Sequence, residues 1–106
     1  MDAVLRAISD PTRRRILRLV QTSELPAGAI AANFEVSRPA VSQHLKVLRE
    51  AGLVTERKIG VRRLYSARPE GLEEVRTFLQ GFWNDRLLDL KLAVEKAEKE
   101  PSDASD

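Results

Sequence analysis

The chain has 106 residues, of which 42% are hydrophobic and 32% are charged, as is typical of a single globular domain. It has no cysteine and one histidine, which excludes disulfide scaffolds, thiolate metal sites, thiol redox chemistry and Cys/His nucleophile pairs. The net charge of +2 is the sum of +1 over residues 1–36, +6 over residues 37–68 and −5 over residues 69–106. The basic middle segment indicates a polyanionic partner, although basic segments are also common on ordinary surfaces.

Two helices are predicted in the first 21 residues. Val4, Leu5 and Ile8 have helical spacing and predict a short first helix. Asp10 is a suitable N-cap for the second helix, and Pro11 supplies a preset φ at its first position. The apolar stripe of the second helix is Ile16, Leu17, Leu19 and Val20. Arg13, Arg14 and Arg18 lie opposite this stripe. Arg13, Arg14 and Arg15 are expected to form a solvated or ion-paired face, with DNA contact as the alternative.

A short third helix and a longer fourth helix follow. Residues 22–24 are expected to form a loop, and Pro26 is expected to open the third helix. Ser37 is the predicted N-cap of the fourth helix, which ends at Gly52 in a left-handed cap. The core face of the fourth helix is Val41, Leu45 and Leu48, at spacings of four and three. The side chains exposed near its start are Arg38, Ser42 and Gln43.

A β-hairpin and a long last helix complete the chain. Residues 53–59 and 62–67 predict two strands, and Gly60 predicts a two-residue type II′ turn between them. Apolar residues then recur at spacings of three and four through a helix over residues 70–100, which is longer than the body of a small domain and therefore needs a partner surface. Residues 1–100 are predicted to form one domain, and residues 101–106 a disordered tail.

The predicted fold class is mostly α with a small β-hairpin, in the order α-α-α-α-β-β-α. A helix-turn-helix followed by a hairpin with a basic tip is typical of a winged helix-turn-helix, in which one helix enters the DNA major groove and the wing reaches the flanking backbone. Arg38 is suited to guanine and Gln43 to adenine, whereas Ser42 can bond a base or a phosphate. Double-stranded DNA is therefore the expected partner.

Three segments resemble the ArsR family of bacterial transcriptional repressors. They are SDPTRRRIL (residues 9–17), VSRPAVSQHLKVLREAGLV (36–54) and RRLYS (62–66), and the likeness extends over roughly residues 4–100. The resemblance implies a homodimer that binds an imperfect inverted repeat and represses its own operon until an effector releases it. It also implies dimerisation through the first and last helices.

The site residues expected from pattern and resemblance form two sets. The DNA-binding set is Ser37, Arg38, Pro39, Ser42, Gln43, His44, Lys46, Lys58, Arg62 and Arg63. The dimer-interface set is Val4, Leu5, Ile8, Phe82, Trp83, Leu87, Leu90 and Val94. Some residues have an equally good structural explanation: Pro39 can simply start its helix, and His44 can pack or cap. Phe78, Phe82 and Trp83 could alternatively line a small-molecule pocket.

The chain departs from the metal-sensing members of this family. Those members use cysteines before the recognition helix, or His and carboxylate pairs on the last helix, and this chain has neither arrangement. The acidic residues Asp85, Asp89, Glu95 and Glu98 are expected to face solvent. No metal site or cofactor is therefore predicted, and a thiol-bound metal is excluded as the effector, whose identity stays open together with the choice between repression and activation.

Other functions compete with DNA binding. A winged helix can be a protein-binding module in which the basic wing is an electrostatic docking surface. An enzyme is not expected, because the chain has no Gly-rich phosphate loop, and Ser42 and His44 are two residues apart and do not face each other on a helix. Membrane association is not expected either, because no apolar run approaches the ~18 to 20 residues needed to span a bilayer. Asp2 and Arg6 interrupt the position of a secretory signal, so a soluble, cytoplasmic protein is expected.

Overall fold

The computed structural model describes residues 1–99; residue 100 and the predicted disordered tail, 101–106, lie outside the described residues. The protein is mostly helical with a small antiparallel sheet. Its elements are α1 (Asp2–Ile8), α2 (Pro11–Thr22), β1 (Leu25–Pro26), α3 (Ala27–Ala31), α4 (Arg38–Glu50), β2 (Val54–Ile59), β3 (Arg62–Ala67), a 3-10 turn (Pro69–Leu72) and α5 (Glu73–Lys99). Residues 1–75 form one compact unit, and the chain from Arg76 onward forms a second. The predicted winged helix-turn-helix fold is confirmed.

The predicted helix caps at Asp10 and Ser37 are present. The Asp10 carboxylate accepts a hydrogen bond of 3.0 Å from the backbone N–H of Arg13, and the Ser37 hydroxyl accepts one of 3.2 Å from Ala40. Each bond satisfies one of the N–H groups that have no partner within the first turn of a helix. The bond from Arg13 is the largest of the effects that hold the pKa of Asp10 below its usual value.

Replacing Asp10 with alanine should lower the free energy of unfolding by about 0.5 to 2 kcal/mol at pH 7. Because folding lowers the pKa of Asp10, its stabilisation is present above the unfolded pKa, about 4, and is lost as the pH falls through the folded value. The difference between wild type and Asp10→Ala in urea unfolding should therefore shrink in acid. Asp10→Asn is the matched control, since it keeps an acceptor that does not titrate; a difference between Asn and Ala that also shrinks would contradict this explanation.

Two arginines of α2 hold the end of α1. The Arg13 guanidinium donates from Nε to the carbonyl of Ala7 at 2.7 Å and from Nη2 to that of Arg6 at 3.0 Å. Arg14 Nη1 donates to the carbonyl of Ile8 at 2.7 Å. The Arg6 carbonyl also accepts from the backbone N–H and the hydroxyl of Ser9, so the arginines and Ser9 together satisfy the last turn of the preceding helix. The expectation of a merely solvated or ion-paired face is therefore wrong for Arg13, which is partly buried, whereas Arg14 is exposed as expected.

The core of the unit formed by residues 1–75 gathers side chains from four of its helices, from β2 and from the start of α5. Its buried members are Val4, Ala7, Ile16, Val20, Ile30, Val41, Leu45, Leu48, Leu53, Val54 and Val75. The predicted core face of α4 is confirmed by the complete burial of Val41, Leu45 and Leu48. Val4, assigned from sequence to a dimer interface, is only 9% exposed and belongs to this core, whereas its neighbour Leu5 is 45% exposed.

The sheet has three strands in the order β1-β3-β2. The predicted hairpin is confirmed, with Ile59 opposite Arg62 across a two-residue loop. Gly60, the first residue of the loop, has φ +61°, as a type II′ turn requires. Val61, the second, does not have a positive φ, because in the described chain only glycines do. The strand β1 was not predicted from sequence, because two residues, one of them proline, are too short to show strand periodicity. It lies at the sheet edge and pairs with β3 through Leu25 opposite Tyr65.

The last helix begins later than its sequence pattern suggests. Residues Pro69–Leu72 form a 3-10 turn, and α5 starts at Glu73. At 1.5 Å per residue, its 27 residues give a helix about 40 Å long. Within residues 1–99 no helix combines the length and the apolar composition required to cross a bilayer.

Candidate nucleic-acid interface

Helix α4 presents three differently used faces. Successive residues are rotated by about 100°, so the side chains opposite the buried face are those of Pro39, Gln43, Lys46 and Glu50. The first three belong to the predicted DNA-binding set and are exposed. We call Pro39, Gln43 and Lys46 the outward face of α4. Their position suits insertion of the helix into a groove, because no other element of residues 1–75 covers these side chains.

A second face of α4 borders the hairpin of β2 and β3, which we call the wing. Between them lies an open cavity of about 480 Å³, the wing cleft. Its polar lining is Arg38 and Ser42 from α4 and Arg62, Arg63 and Tyr65 from the wing, and the start of α3 closes one side. Four residues predicted separately as DNA contacts therefore surround one cavity.

Glu56 connects α4 to the wing. Its carboxylate on β2 accepts a hydrogen bond of 2.6 Å from Arg49 near the end of α4 and lies 3.8 Å from Nε of Arg63 on β3. Burial and a hydrogen bond with Glu56 raise the pKa of Tyr65, which is opposite Glu56 in the register. Sequence analysis did not identify this role of Glu56; its only signal is a single acidic residue in a basic hairpin.

The other face of the wing is held by a second ion pair. Arg57 on β2 donates two hydrogen bonds to the Glu24 carboxylate, from Nε at 3.0 Å and from Nη2. The bond from Arg57 lowers the pKa of Glu24, and the same bond raises the pKa of Arg57. Because such a pair is bidentate, it fixes direction as well as distance. Arg57 is therefore occupied, whereas within residues 1–99 neither Lys58 nor Arg62, closer to the tip, has a carboxylate partner.

The tip of the wing concentrates positive charge. Lys58 is directly opposite Arg63, and Arg62 is opposite Ile59. Like charges opposite each other destabilise a hairpin, so their presence here favours a polyanion as the counter-charge. Val61 between the strands is 97% exposed, which shows that the tip is uncovered.

His44 occupies the third exposed face of α4, towards α2. It is partly buried, and its Nδ1 lies 3.4 Å from Nη1 of Arg13. Ser37, another member of the predicted DNA-binding set, uses its hydroxyl to cap α4. The ten predicted residues thus lie on the outward face, around the wing cleft, at the wing tip, at the start of α4 and beside α2.

The predicted interface residues of α5 are all exposed. Leu87, Leu90 and Val94 are each about half exposed or more. Phe82 and Trp83 pack edge to face on each other, with ring centroids 5.8 Å apart, and the Arg86 guanidinium lies over the Phe82 ring. Within residues 1–99, no three His, Asp or Glu side chains form a group that could hold a metal ion.

Known proteins are similar to this chain in sequence and in fold. A family model described as bacterial regulatory protein, arsR family, matches residues 10–56. An HTH-type transcriptional regulator of Mycobacterium tuberculosis is 46% identical over 86 residues, which are 81% of this chain and 80% of that protein. The transcriptional repressor SdpR of Bacillus subtilis is 37% identical over 84 residues, which are 79% of this chain and 93% of that protein.

Solved structures with a similar fold are also described as transcriptional regulators or DNA-binding domains. An ArsR-like transcriptional regulator from Rhodococcus has a TM-score of 0.74 at 32% identity and covers 90% of both chains. A homodimeric winged helix-turn-helix DNA-binding domain from Mycobacterium bovis has a TM-score of 0.63 at 27% identity, covering 81% of this chain and 80% of that one. The relatives are transcriptional regulators, a class that acts by binding and not by catalysis. This chain belongs to the ArsR family of winged helix-turn-helix, DNA-binding transcriptional regulators.

Proposed function

We propose that this regulator is a cytoplasmic homodimer that binds an inverted repeat and represses its own operon. The observation that carries the proposal is the outward face of α4 lying beside a wing whose tip is basic and uncovered. Similarity to a protein named as a transcriptional repressor supports the direction of regulation. In this proposal residues 1–100 work as one DNA-binding and dimerisation domain.

The faces of α4 and the position of the wing suggest which residues contact bases and which contact phosphates. Gln43 on the outward face offers both a donor and an acceptor, which match the N6 and N7 atoms of adenine in the major groove. Lys46 on the same face supplies a charge for phosphate. Lys58, Arg62 and Arg63 reach the flanking backbone from the wing.

The dimer is proposed to form through α1 and α5. A helix whose apolar side chains are exposed gains most of its stability from packing against another surface. The residues available for this packing are Leu5, Phe82, Trp83, Leu87, Leu90 and Val94. Ile8 is partly buried and contributes at the edge, while Val4 supports α1 from the core. The similar Mycobacterium bovis domain, which is homodimeric, supports this arrangement.

The affinity for DNA should depend strongly on salt, and the symmetry of a dimer should fix the spacing of the two half-sites. A dimer that neutralises ~8 phosphates should show log K falling with log salt at a slope near −7, and footprinting should show two half-sites about 34 Å apart. A gel shift on the DNA upstream of the protein's own gene, followed by footprinting and a reporter assay, tests these points. A protein that ignores every duplex at low ionic strength would instead be a protein-binding module, and activation of the reporter would refute repression.

A further inference from the structure

We propose that the wing cleft binds one phosphate of the duplex backbone in each half-site, and that Arg38 is a ligand of that phosphate instead of reading a base. The proposal rests on the proposed function, since it needs a bound duplex. It replaces the expectation from sequence that Arg38 contacts guanine. Base readout on α4 is then left to the outward face, where Gln43 lies.

The first argument is the direction of the Arg38 side chain. A methyl group placed on Gly28 would lie 3.8 Å from Cζ of Arg38 and 3.9 Å from Nη1, so the guanidinium lies against the start of α3 and within the wing cleft. Ser42 is one turn later on the same side of α4 and also lines the cleft. Gln43 is rotated about 140° from Arg38, which places it on a different face.

The second argument is charge. No acidic side chain lines the cleft, and among residues 1–99 neither Arg38 nor Arg62 has a carboxylate partner. Two acidic side chains that contact the wing strands are already engaged. Glu56 accepts from Arg49, and Glu24 accepts from Arg57. The cleft therefore has two uncompensated guanidinium groups and a third, that of Arg63, which is only loosely paired.

The third argument is the match between these groups and a phosphodiester. A guanidinium presents a planar set of N–H donors that fits two phosphate oxygens, and a serine hydroxyl adds a further donor. The cleft lies between the helix that enters the major groove and the wing that reaches the flanking backbone, so the backbone between those two contacts must pass it. Base edges lie at the floor of the groove, which the outward face of α4 approaches.

The test uses the full-length protein and two duplexes: one selected by the wild type from a random pool, and a shuffled duplex of the same length. Fluorescence anisotropy titrations over a series of salt concentrations give affinity and salt slope for each variant. Arg38→Ala should weaken binding to both duplexes by the same factor, roughly tenfold or more, and reduce the magnitude of the slope by about 2 for the two copies in a dimer. An unchanged thermal melt shows that the variant is folded.

Two further variants separate phosphate binding from base readout. Arg38→Lys should restore the slope, because its charge still neutralises a phosphate, and should restore only part of the affinity, by the same factor on both duplexes, because an ammonium lacks the planar fork that fits two phosphate oxygens. Gln43→Ala should weaken only the selected duplex and leave the slope unchanged. The proposal is overturned if Arg38→Ala relaxes the choice at one base pair and keeps the wild-type slope.

A methylphosphonate scan locates the contact. Replacing single phosphates of the selected duplex with neutral methylphosphonates should reveal one position per half-site where the wild type loses affinity and Arg38→Ala does not. An equal loss of affinity in the wild type and in Arg38→Ala at every position would refute the assignment.

A competition experiment with inorganic phosphate tests whether the cleft is a site for free anions. Inorganic phosphate at constant ionic strength should not displace the duplex; selective displacement would identify a free-anion site instead. If the wild type binds neither duplex in low salt, the proposed function fails first, and this proposal fails with it.

Discussion

Leu87→Glu is expected to convert the proposed dimer into monomers and to weaken operator binding by two orders of magnitude or more. Leu87 is 58% exposed on α5 and lies in the apolar stripe with Trp83, Leu90 and Val94. Burying one leucine contributes about 1.5 to 3 kcal/mol, and a two-fold interface contains each residue twice. The substitution removes both contributions and also places two carboxylates in an apolar contact, so the dimer dissociation constant should rise at least about 100-fold.

The matched control is Leu92→Glu. Leu92 is similarly exposed, at 54%, but lies five residues after Leu87 and therefore about 140° away around the helix. The Leu92→Glu substitution should therefore leave the protein dimeric. Sedimentation equilibrium gives the oligomeric state, and anisotropy on the selected duplex gives the affinity. A dimeric Leu87→Glu variant, or a monomeric Leu92→Glu variant, would show that the interface lies elsewhere on α5.

Gly71→Ala is expected to lower the stability of the protein substantially, because the added Cβ meets backbone at close range. A Cβ at Gly71 would overlap the carbonyl oxygen of Gly52, lie 2.9 Å from its carbonyl carbon and lie 3.1 Å from Cδ2 of Leu53. The obstacle is backbone at the end of α4, which cannot move aside as a flexible side chain can. Overpacking of this kind costs about 1 to 3 kcal/mol or more, which corresponds to a fall in Tm of several degrees.

Gly81→Ala provides the opposite expectation from the same chemical change. Nothing lies within 4 Å of a Cβ placed at Gly81, which is in the middle of α5. Alanine is favoured over glycine in a helix by about 1 kcal/mol, so this variant should be as stable as the wild type or more stable. Thermal melts at one protein concentration compare the two variants. If the Gly71→Ala variant has the same Tm as the wild type, the 3-10 turn can shift to accommodate the added Cβ, and the expected loss of stability is refuted.

The elements that could be predicted from sequence are those with local physical causes. The caps at Asp10 and Ser37 and the turn at Gly60 depend on residues within three positions of each other, so the sequence pattern contains their whole explanation. The core face of α4 follows from periodicity for the same reason. The likeness to winged helix regulators in turn indicated the order of the elements and the location of the site.

The features that were missed depend on residues far apart in the chain. Arg13 reaches back six residues to Ala7 and across to His44, and Glu24 meets Arg57 from 33 residues away. No local pattern predicts such partners. The side-chain direction of Arg38 is also tertiary, because the start of α3 and the wing determine where its guanidinium lies. Exposure on a helix was predicted correctly, but exposure does not specify which neighbour a long side chain faces.

Glu56 has a consequence for the thermodynamics of operator binding. By joining Arg49 near the end of α4 to the strand that carries Lys58, it sets the span between the reading helix and the basic tip before any DNA arrives. Without this contact, the wing would lose conformational entropy when it binds DNA, and that loss would lower the affinity. The contact between Glu56 and Arg49 removes part of this conformational freedom on folding. We therefore expect the duplex to make more of the geometric adjustment, so that sites which bend or narrow easily towards this span bind more tightly, even through base pairs that the protein does not contact.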